Sequence, residues 1–200
     1  MTHVVVIGAG PAGISAAREA QRLGARTTVV DKDKIGGRAT WASLLPSKAW
    51  LTVAAELLAQ PNLASQGFSV PSRPADFSGL SRHVTRLSTE VSDTYQRKLR
   101  ESGVDLVQGT ASFLSPGRLR VVSDAGTLEL EPDRVIVATG SVPRFLPGAK
   151  PDPPRIIAPR LMARLTEVPH SVIVVGAGAT GVEFAHLFGS TLLVMRPGLR

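Results

Sequence analysis

Apolar and polar positions along this chain alternate between two periodicities. Val4 to Ile7 is a continuous β-branched run, the pattern of a parallel strand covered on both faces. "ISAAREAQRLG" then sets apolar residues at helical spacing and ends at Gly24, a natural helix terminator. "RTTVVDKD" returns to strand and ends in acid. From Pro46, "PSKAWLTVAAELLAQ" predicts a helix stopped by Pro61, and "SQGFSVPSRPADFSG" predicts a loop. "LSRHVTRLSTEVSDTYQRKLRESG" predicts a long amphipathic helix closing at Gly103. "VDLVQGTASFL", "RLRVVSD" and "GTLELEP" read as short strands, and "RVIVATG" as another buried one.

The Pro-rich "SVPRFLPGAKPDPPRIIAP" suits a connection between domains. After it the opening pattern returns as "SVIVVGAGATGVEFAHLFGSTLLVMR", an internal repeat beginning near Ser171. Its predicted order is again strand, helix, strand. Gly13 to Gly24 spans eleven residues, whereas Gly181 to Gly189 spans eight. The second helix is therefore expected to be shorter by about 4.5 Å, nearly one turn. A unit this small buries too little to stand alone.

Composition narrows the function classes. Of 200 residues none is cysteine, which removes disulfides, thiolate nucleophiles and Cys-ligated metals. No apolar run reaches the roughly 18 residues of a membrane span, and the N-terminus enters a strand without a basic leader. A cytoplasmic setting is the expectation. The net charge of +7 raises nucleic-acid binding. The cations are scattered among acids, however, and Tyr95 is the only tyrosine, so no base-stacking platform is expected. No metal site is expected either.

Gly8, Gly10 and Gly13 form GxGxxG between the first strand and helix, with Pro11 and Ala12 inside the turn. The first glycine permits the turn, the second lets the backbone approach a pyrophosphate, and the third lets the helix pack on the strand. The phosphates would sit on the helix N-terminus, where free N–H groups and the dipole favour an anion. Asp31, eighteen positions after Gly13 and followed by Lys32, ends the next strand, where a carboxylate can accept from ribose hydroxyls. The alternative is a bare βα turn with Asp31 as a solvated strand end. Gly176, Gly178 and Gly181 repeat the motif with Arg196 where the acid stood. Arg there favours a 2′-phosphate and hence NADP over NAD, unless it is an ordinary surface residue.

The two turns, "IGGRATWASLLPSK" and "VIVATGSVPR" together resemble the pyridine-nucleotide–disulfide oxidoreductases over essentially the whole chain. The resemblance implies a Rossmann-like α/β FAD-binding domain at residues 1–148, with a parallel sheet, helices and a small antiparallel insert. A connecting segment at 149–170 and an incomplete NAD(P)-binding domain at 171–200 would follow. It further implies that Gly8, Gly10, Gly13 and Asp31 hold the ADP part of FAD, with Gly36 and Gly37 by the pyrophosphate. Gly109, Thr110 and Ala111 would lie by the adenine, and Ala138, Thr139 and Gly140 would close over the cofactor. Lys48, paired with Glu183, would lie by the flavin N5 and tune it, unless Lys48 is simply solvated.

Where the family has its two cysteines, this chain has Ala39 and Leu44, with Trp41 at an Asn position and Ser43 at a Gly. Neither replacement can form a thiolate or a mixed disulfide. The expected function is an FAD-dependent NAD(P)H oxidoreductase that is not a disulfide reductase and hands electrons to an acceptor directly. The alternative is a truncated or split nucleotide-binding module without turnover. Family members are homodimers, and the dimerisation domain with its His–Glu pair is not among these residues. His3, His83, His170 and His186 match no catalytic position, and His83 is expected on an exposed helix face.

Overall fold

The chain threads β1 (His3–Ile7), α1 (Pro11–Arg22), β2 (Arg26–Asp31), α2 (Gly37–Trp41), α3 (Leu44–Ser65) and α4 (Phe77–Glu101). It continues through β3 (Asp105–Gln108), β4 (Thr110–Ser115), β5 (Arg118–Ser123), β6 (Gly126–Leu130) and β7 (Arg134–Val137). A 3-10 turn at Pro159–Arg164 and α5 (Ala179–Met195) follow. The computed structural model describes residues 1–68, 76–165 and 167–195. Packing divides the chain into two units, Met1–Ala42 with Ser88–Arg144 and Ser43–Leu87 with Phe145–Arg200. This division differs from the segments 1–148, 149–170 and 171–200 that the resemblance implies, because residues 43–87 pack with the C-terminal part of the chain.

The first unit is the expected α/β layer. Its four-stranded sheet has the order β3-β2-β1-β7, all parallel, with Val5 opposite Thr28 on one side and Val135 on the other. The β-branched run of β1 is needed because both of its faces are covered. Val4 and Val6 share a core with Ile14 and Ala17 of α1 and Leu99 of α4. Val5 and Val30 face the other way, onto Leu119 and Val121 of β5. That strand is the middle of an antiparallel sheet, β4-β5-β6. In the second unit, α3, the start of α4, the 3-10 turn and α5 bury a core that includes Trp50, Phe77, Met162, Phe184 and Phe188. The Trp50 and Phe77 rings lie 4.8 Å apart at 37°, a tilted arrangement of the kind aromatic pairs favour.

Several expectations need correction. The helix from Pro46 begins at Leu44 and runs through Pro61 to Ser65. Pro46 sits in its first turn, where no N–H is needed. The long helix begins at Phe77 rather than Leu80, because Asp76 caps it: the Gly79 N–H donates to Asp76 Oδ1 at 2.7 Å. Residues 69–75 of the expected loop lie outside the described residues. "VDLVQGTASFL" is two strands, since the chain changes sheets at Gly109, where a Cβ would sit 2.6 Å from Val121 Cγ1. β7 is not buried as expected; it pairs only with β1 and leaves Val137 63% exposed.

The repeat departs furthest. Residues 171–177 belong to no strand among the described residues, and α5 continues through 190–195, where the second strand was expected. Gly24 takes the positive φ of 83° that ends a helix, whereas Gly189 does not. The Ser190 hydroxyl donates to His186 O at 2.7 Å across it. α5 therefore has 17 residues against 12 in α1, and the expected shortening is overturned. A parallel strand needs a neighbour for its N–H and C=O groups, and helix satisfies them without one.

Candidate nucleotide-binding site

In the first unit, the carboxyl ends of β1, β2 and β7 bring most of the sequence-identified residues together. Gly8 takes φ 107°, and its N–H donates to Val30 O at 2.8 Å. A Cβ on Gly8 would lie 2.7 Å from the carbonyl carbon of Ala138, which heads the Ala138–Gly140 segment. The Ala138 N–H in turn bonds Ile7 O at 2.8 Å. The Gly109 N–H reaches Asp31 O at 2.9 Å, and the Gly36 N–H reaches Ala9 O at 2.8 Å. Thr110 and Ala111 follow as the first residues of β4. The glycine turns and the ends of these three strands thus lie together at the carboxyl end of the sheet.

The three glycines of the first turn do different work. A Cβ on Gly13 would overlap the Gly8 carbonyl oxygen and press on Val6 Cγ1 at 3.4 Å, so this position is small because the helix rests on the strand. Gly10 has ordinary extended backbone, φ −75° and ψ −179°, and a Cβ there would meet no protein atom within 4 Å. Nothing in the protein requires Gly10 to be small. The open space beside it fits a group that approaches the backbone from outside.

Gly10 is also the N-cap of α1. No side chain caps the helix, Pro11 follows at N1, and the first turn carries no acid. The first intrahelical bond is Ile14 N–H to Gly10 O at 2.9 Å. The N–H groups of Ala12 and Gly13 therefore precede the ladder and lack intrahelical acceptors. This is the arrangement that binds phosphate.

Asp31 is more tightly held than a solvated strand end. Its Oδ2 accepts from Ala9 N–H at 2.5 Å and its Oδ1 from Asp33 N–H at 2.9 Å. It ties the first turn to the end of β2. A carboxylate has about four acceptor positions, so ribose hydroxyls can still be accommodated. Lys32 beside it is exposed. Sequence reasoning missed this turn-fixing role of Asp31, and it missed Ser92, buried at 7% exposure in α4 with its hydroxyl on Ile35 O. A signal existed: Ser88, Ser92, Tyr95 and Leu99 fall on one helical stripe.

The second unit holds the second turn, with the local geometry of the first. Gly176 has φ 111°, a Cβ on Gly181 would overlap Gly176 O, and Gly178 faces open space. The Val182 N–H donates to Gly178 O at 3.0 Å, as Ile14 does to Gly10. What differs is the absence of a ladder among the described residues: Ile173 is 91% and Val175 77% exposed. Lys48 Nζ and Glu183 Oε1 form an ion pair in this unit, half-exposed on the lysine side. Arg196 lies outside the described residues. No helix among the described residues is long and apolar enough to cross a membrane.

The chain is similar to known proteins over most of its length. Residues 2–193 match the family model described as pyridine nucleotide-disulphide oxidoreductase. The chain is 34% identical over 191 residues to dihydrolipoyl dehydrogenase 2 of Haloarcula marismortui, covering 94% of this chain and 40% of that protein. It is 36% identical over 203 residues to NAD(P)H dehydrogenase (quinone) of Mycobacterium tuberculosis, covering 94% and 41%. The crystal structure of LpdA from Mycobacterium tuberculosis superposes with a TM-score of 0.86 at 32% identity, over 95% of this chain and 43% of that one. The chain spans about 40% of the length of these curated relatives. A match that runs over nearly its whole length makes the chain a member of the pyridine nucleotide-disulphide oxidoreductase family, whose flavoproteins work with FAD and NAD(P)H.

Proposed function

We propose that this chain forms the FAD-binding part of an NAD(P)H oxidoreductase that lacks the redox-active disulfide and passes electrons to an acceptor directly. The observation that carries the reading is the empty approach to Gly10 beside an uncapped helix N-terminus. It is a cradle that a Cβ would fill and that the protein itself leaves open. The backbone N–H groups of Ala12 and Gly13 take the pyrophosphate, and Asp31 takes ribose. Gly36 and Gly37 flank the phosphates, Gly109 to Ala111 the adenine, and Ala138 to Gly140 the rest of the cofactor. When bound, FAD supplies hydride acceptance and onward electron transfer.

Ala39 and Leu44 supply no thiol, so this chain's residues cannot relay electrons through a disulfide. The likeness to an NAD(P)H dehydrogenase (quinone) supports a quinone-type acceptor. Lys48, held by Glu183, is assigned from the family motif as the cation that stabilises negative charge on reduced flavin. Arg196 is assigned a preference for NADPH. Titrating the purified chain with FAD, and following flavin absorbance and fluorescence, tests the central claim. Saturable one-to-one binding supports it, and no binding overturns it.

The second turn favours a second reading, a nucleotide-binding module without turnover of its own. Its glycines are set for a pyrophosphate, yet residues 171–177 have no strand neighbour among the described residues. A nicotinamide held by an unsupported turn is poorly positioned. Stopped-flow reduction of the FAD-loaded chain by NADPH separates the two readings.

A further inference from the structure

The carbonyl of Ile35 accepts two side-chain hydrogen bonds, from the Trp41 indole N–H at 2.9 Å and from the Ser92 hydroxyl at 2.7 Å. A carbonyl has two lone pairs, so both are engaged. Ser92 is buried, and the Ile35 side chain packs against the core that holds Val6, Ile14 and Leu99. The Lys34 ammonium sits 4.3 Å from the Trp41 ring centroid, a cation–π contact that steadies the indole. Residue 35 is thus anchored through its side chain and twice through its carbonyl.

The backbone directly after this anchor is Gly36–Gly37. Both residues have positive φ, 103° and 55°. The Gly36 N–H donates to Ala9 O at 2.8 Å, and a Cβ on Gly37 would lie 2.8 Å from Gly10 Cα. The glycine pair is laid against the first glycine turn with no side chain of its own to hold it. Besides the Gly36 N–H bond to Ala9 O, its placement rests on the residue before it.

We propose that Trp41 and Ser92 are positioning residues for the pyrophosphate of a bound dinucleotide. By gripping the Ile35 carbonyl they hold Gly36–Gly37 against Ala9–Gly10 and set the spacing of the backbone facing the phosphates. The proposal rests on the reading of the first turn as an FAD site. Neither residue touches the cofactor in this account. Both act through the backbone, so removing either hydrogen bond loosens the pair without removing a ligand contact.

The test uses the full chain with Trp41→Phe, which loses the N–H, and Ser92→Ala, which loses the hydroxyl. Ser92→Thr keeps the hydroxyl. Residue-resolved hydrogen exchange is measured at the Gly36 amide and at strand amides such as Val5 and Val29, and FAD affinity by fluorescence titration. A single net hydrogen bond corresponds to a factor of about twofold to tenfold. The expected result is Gly36 exchange faster by about that factor and FAD binding weaker by a similar one, with strand protection unchanged. Ser92→Thr restores both. Unchanged Gly36 exchange and FAD affinity in the first two variants would overturn the proposal. So would loss of strand protection in step with Gly36, which marks a general stability effect. If the wild-type chain binds no FAD, the reading of the first turn fails and the pyrophosphate role with it, while the exchange data still show whether the grip on Ile35 exists.

Discussion

Gly10 and Gly13 stand three residues apart in one turn and answer to different constraints. A methyl on Gly13 collides with the Gly8 carbonyl oxygen. Gly13→Ala is therefore expected to cost about 1–3 kcal/mol of stability through overpacking, read as a lower melting temperature. A Cβ at Gly10 meets no protein atom within 4 Å, and the backbone there is one that any residue adopts, so Gly10→Val is accommodated at its branch point. It should leave melting nearly unchanged while abolishing FAD binding, because the branched side chain occupies the pyrophosphate approach. A Gly10→Val protein with normal FAD affinity would remove the site assignment. Lys48 offers a comparable separation. Its pair with Glu183 leaves the lysine side chain 53% exposed, and exposed pairs contribute about 0–1 kcal/mol. Lys48→Met should barely alter melting, so a lowered flavin midpoint potential would report the proposed tuning directly.

His3 adds a pH dependence at the opposite, amino-terminal end of β1. Its backbone N–H donates to Asp133 Oδ2 at 2.7 Å, and its ring Nε2 lies 3.0 Å from Thr28 Oγ1. Desolvation in this setting, followed by repulsion from Arg26, lowers its pKa from 6.5, against smaller raising effects of Asp133 and Asp105. The folded state thus favours the neutral ring. Stability from this residue is present above the unfolded value near 6.5 and declines as pH falls through it toward the lowered folded value. His3→Gln should flatten the melting temperature over that window relative to wild type. An unchanged slope would show that other groups carry it.

At the scale of elements, α5 is where local signals and observed structure part. Gly189 follows "VEFAHLF" and reads as a terminator, yet it lies inside a helix of 17 residues. A glycine inside a helix costs roughly 0.5–1 kcal/mol relative to alanine. A Cβ at this position meets nothing within 4 Å. Gly189→Ala is therefore expected to raise the melting temperature by a few degrees. Were Gly189 a helix end, the same change would lower it. Pro61 misled in the same sense, since α3 passes through a residue that normally ends a helix. In both elements the hydrophobic core of the second unit, with Trp50, Phe184 and Phe188, outweighs a single breaker worth roughly 1–3 kcal/mol.

For the molecule as a whole, the prediction concerns electron flow. With Ala39 and Leu44 in place of thiols, NAD(P)H-dependent reduction of lipoamide or glutathione disulfide should not exceed the free-flavin background. Turnover with either would mean that the motif is misaligned. Reduction of bound FAD by NADPH should also be slow in this chain. A second turn without a ladder positions nicotinamide loosely, and small misplacements cost on the order of 100-fold in rate. Bleaching within about a second of anaerobic mixing would show that the turn works as it stands. Faster bleaching by NADH than by NADPH would count against the role given to Arg196.

What the residues determined by themselves was local. GxGxxG specifies its own turn: Gly8 and Gly176 reach φ 107° and 111°, and Gly13 and Gly181 pack on the first glycine's carbonyl alike. These contacts lie within six residues and need nothing else. The βαβ order of the first unit, its final acid and the missing thiols were legible for the same reason. Sheet membership was not. "VVVI" and "VIVV" are equivalent strings, but β1 has β2 and β7 to satisfy its backbone and cores on both faces, whereas residues 171–177 have no strand beside them among the described residues. A strand is defined by its neighbours, and a turn by its own glycines. The grip of Ser92 on Ile35 was hidden likewise, because the two lie 57 positions apart and only the packing of α4 brings them together.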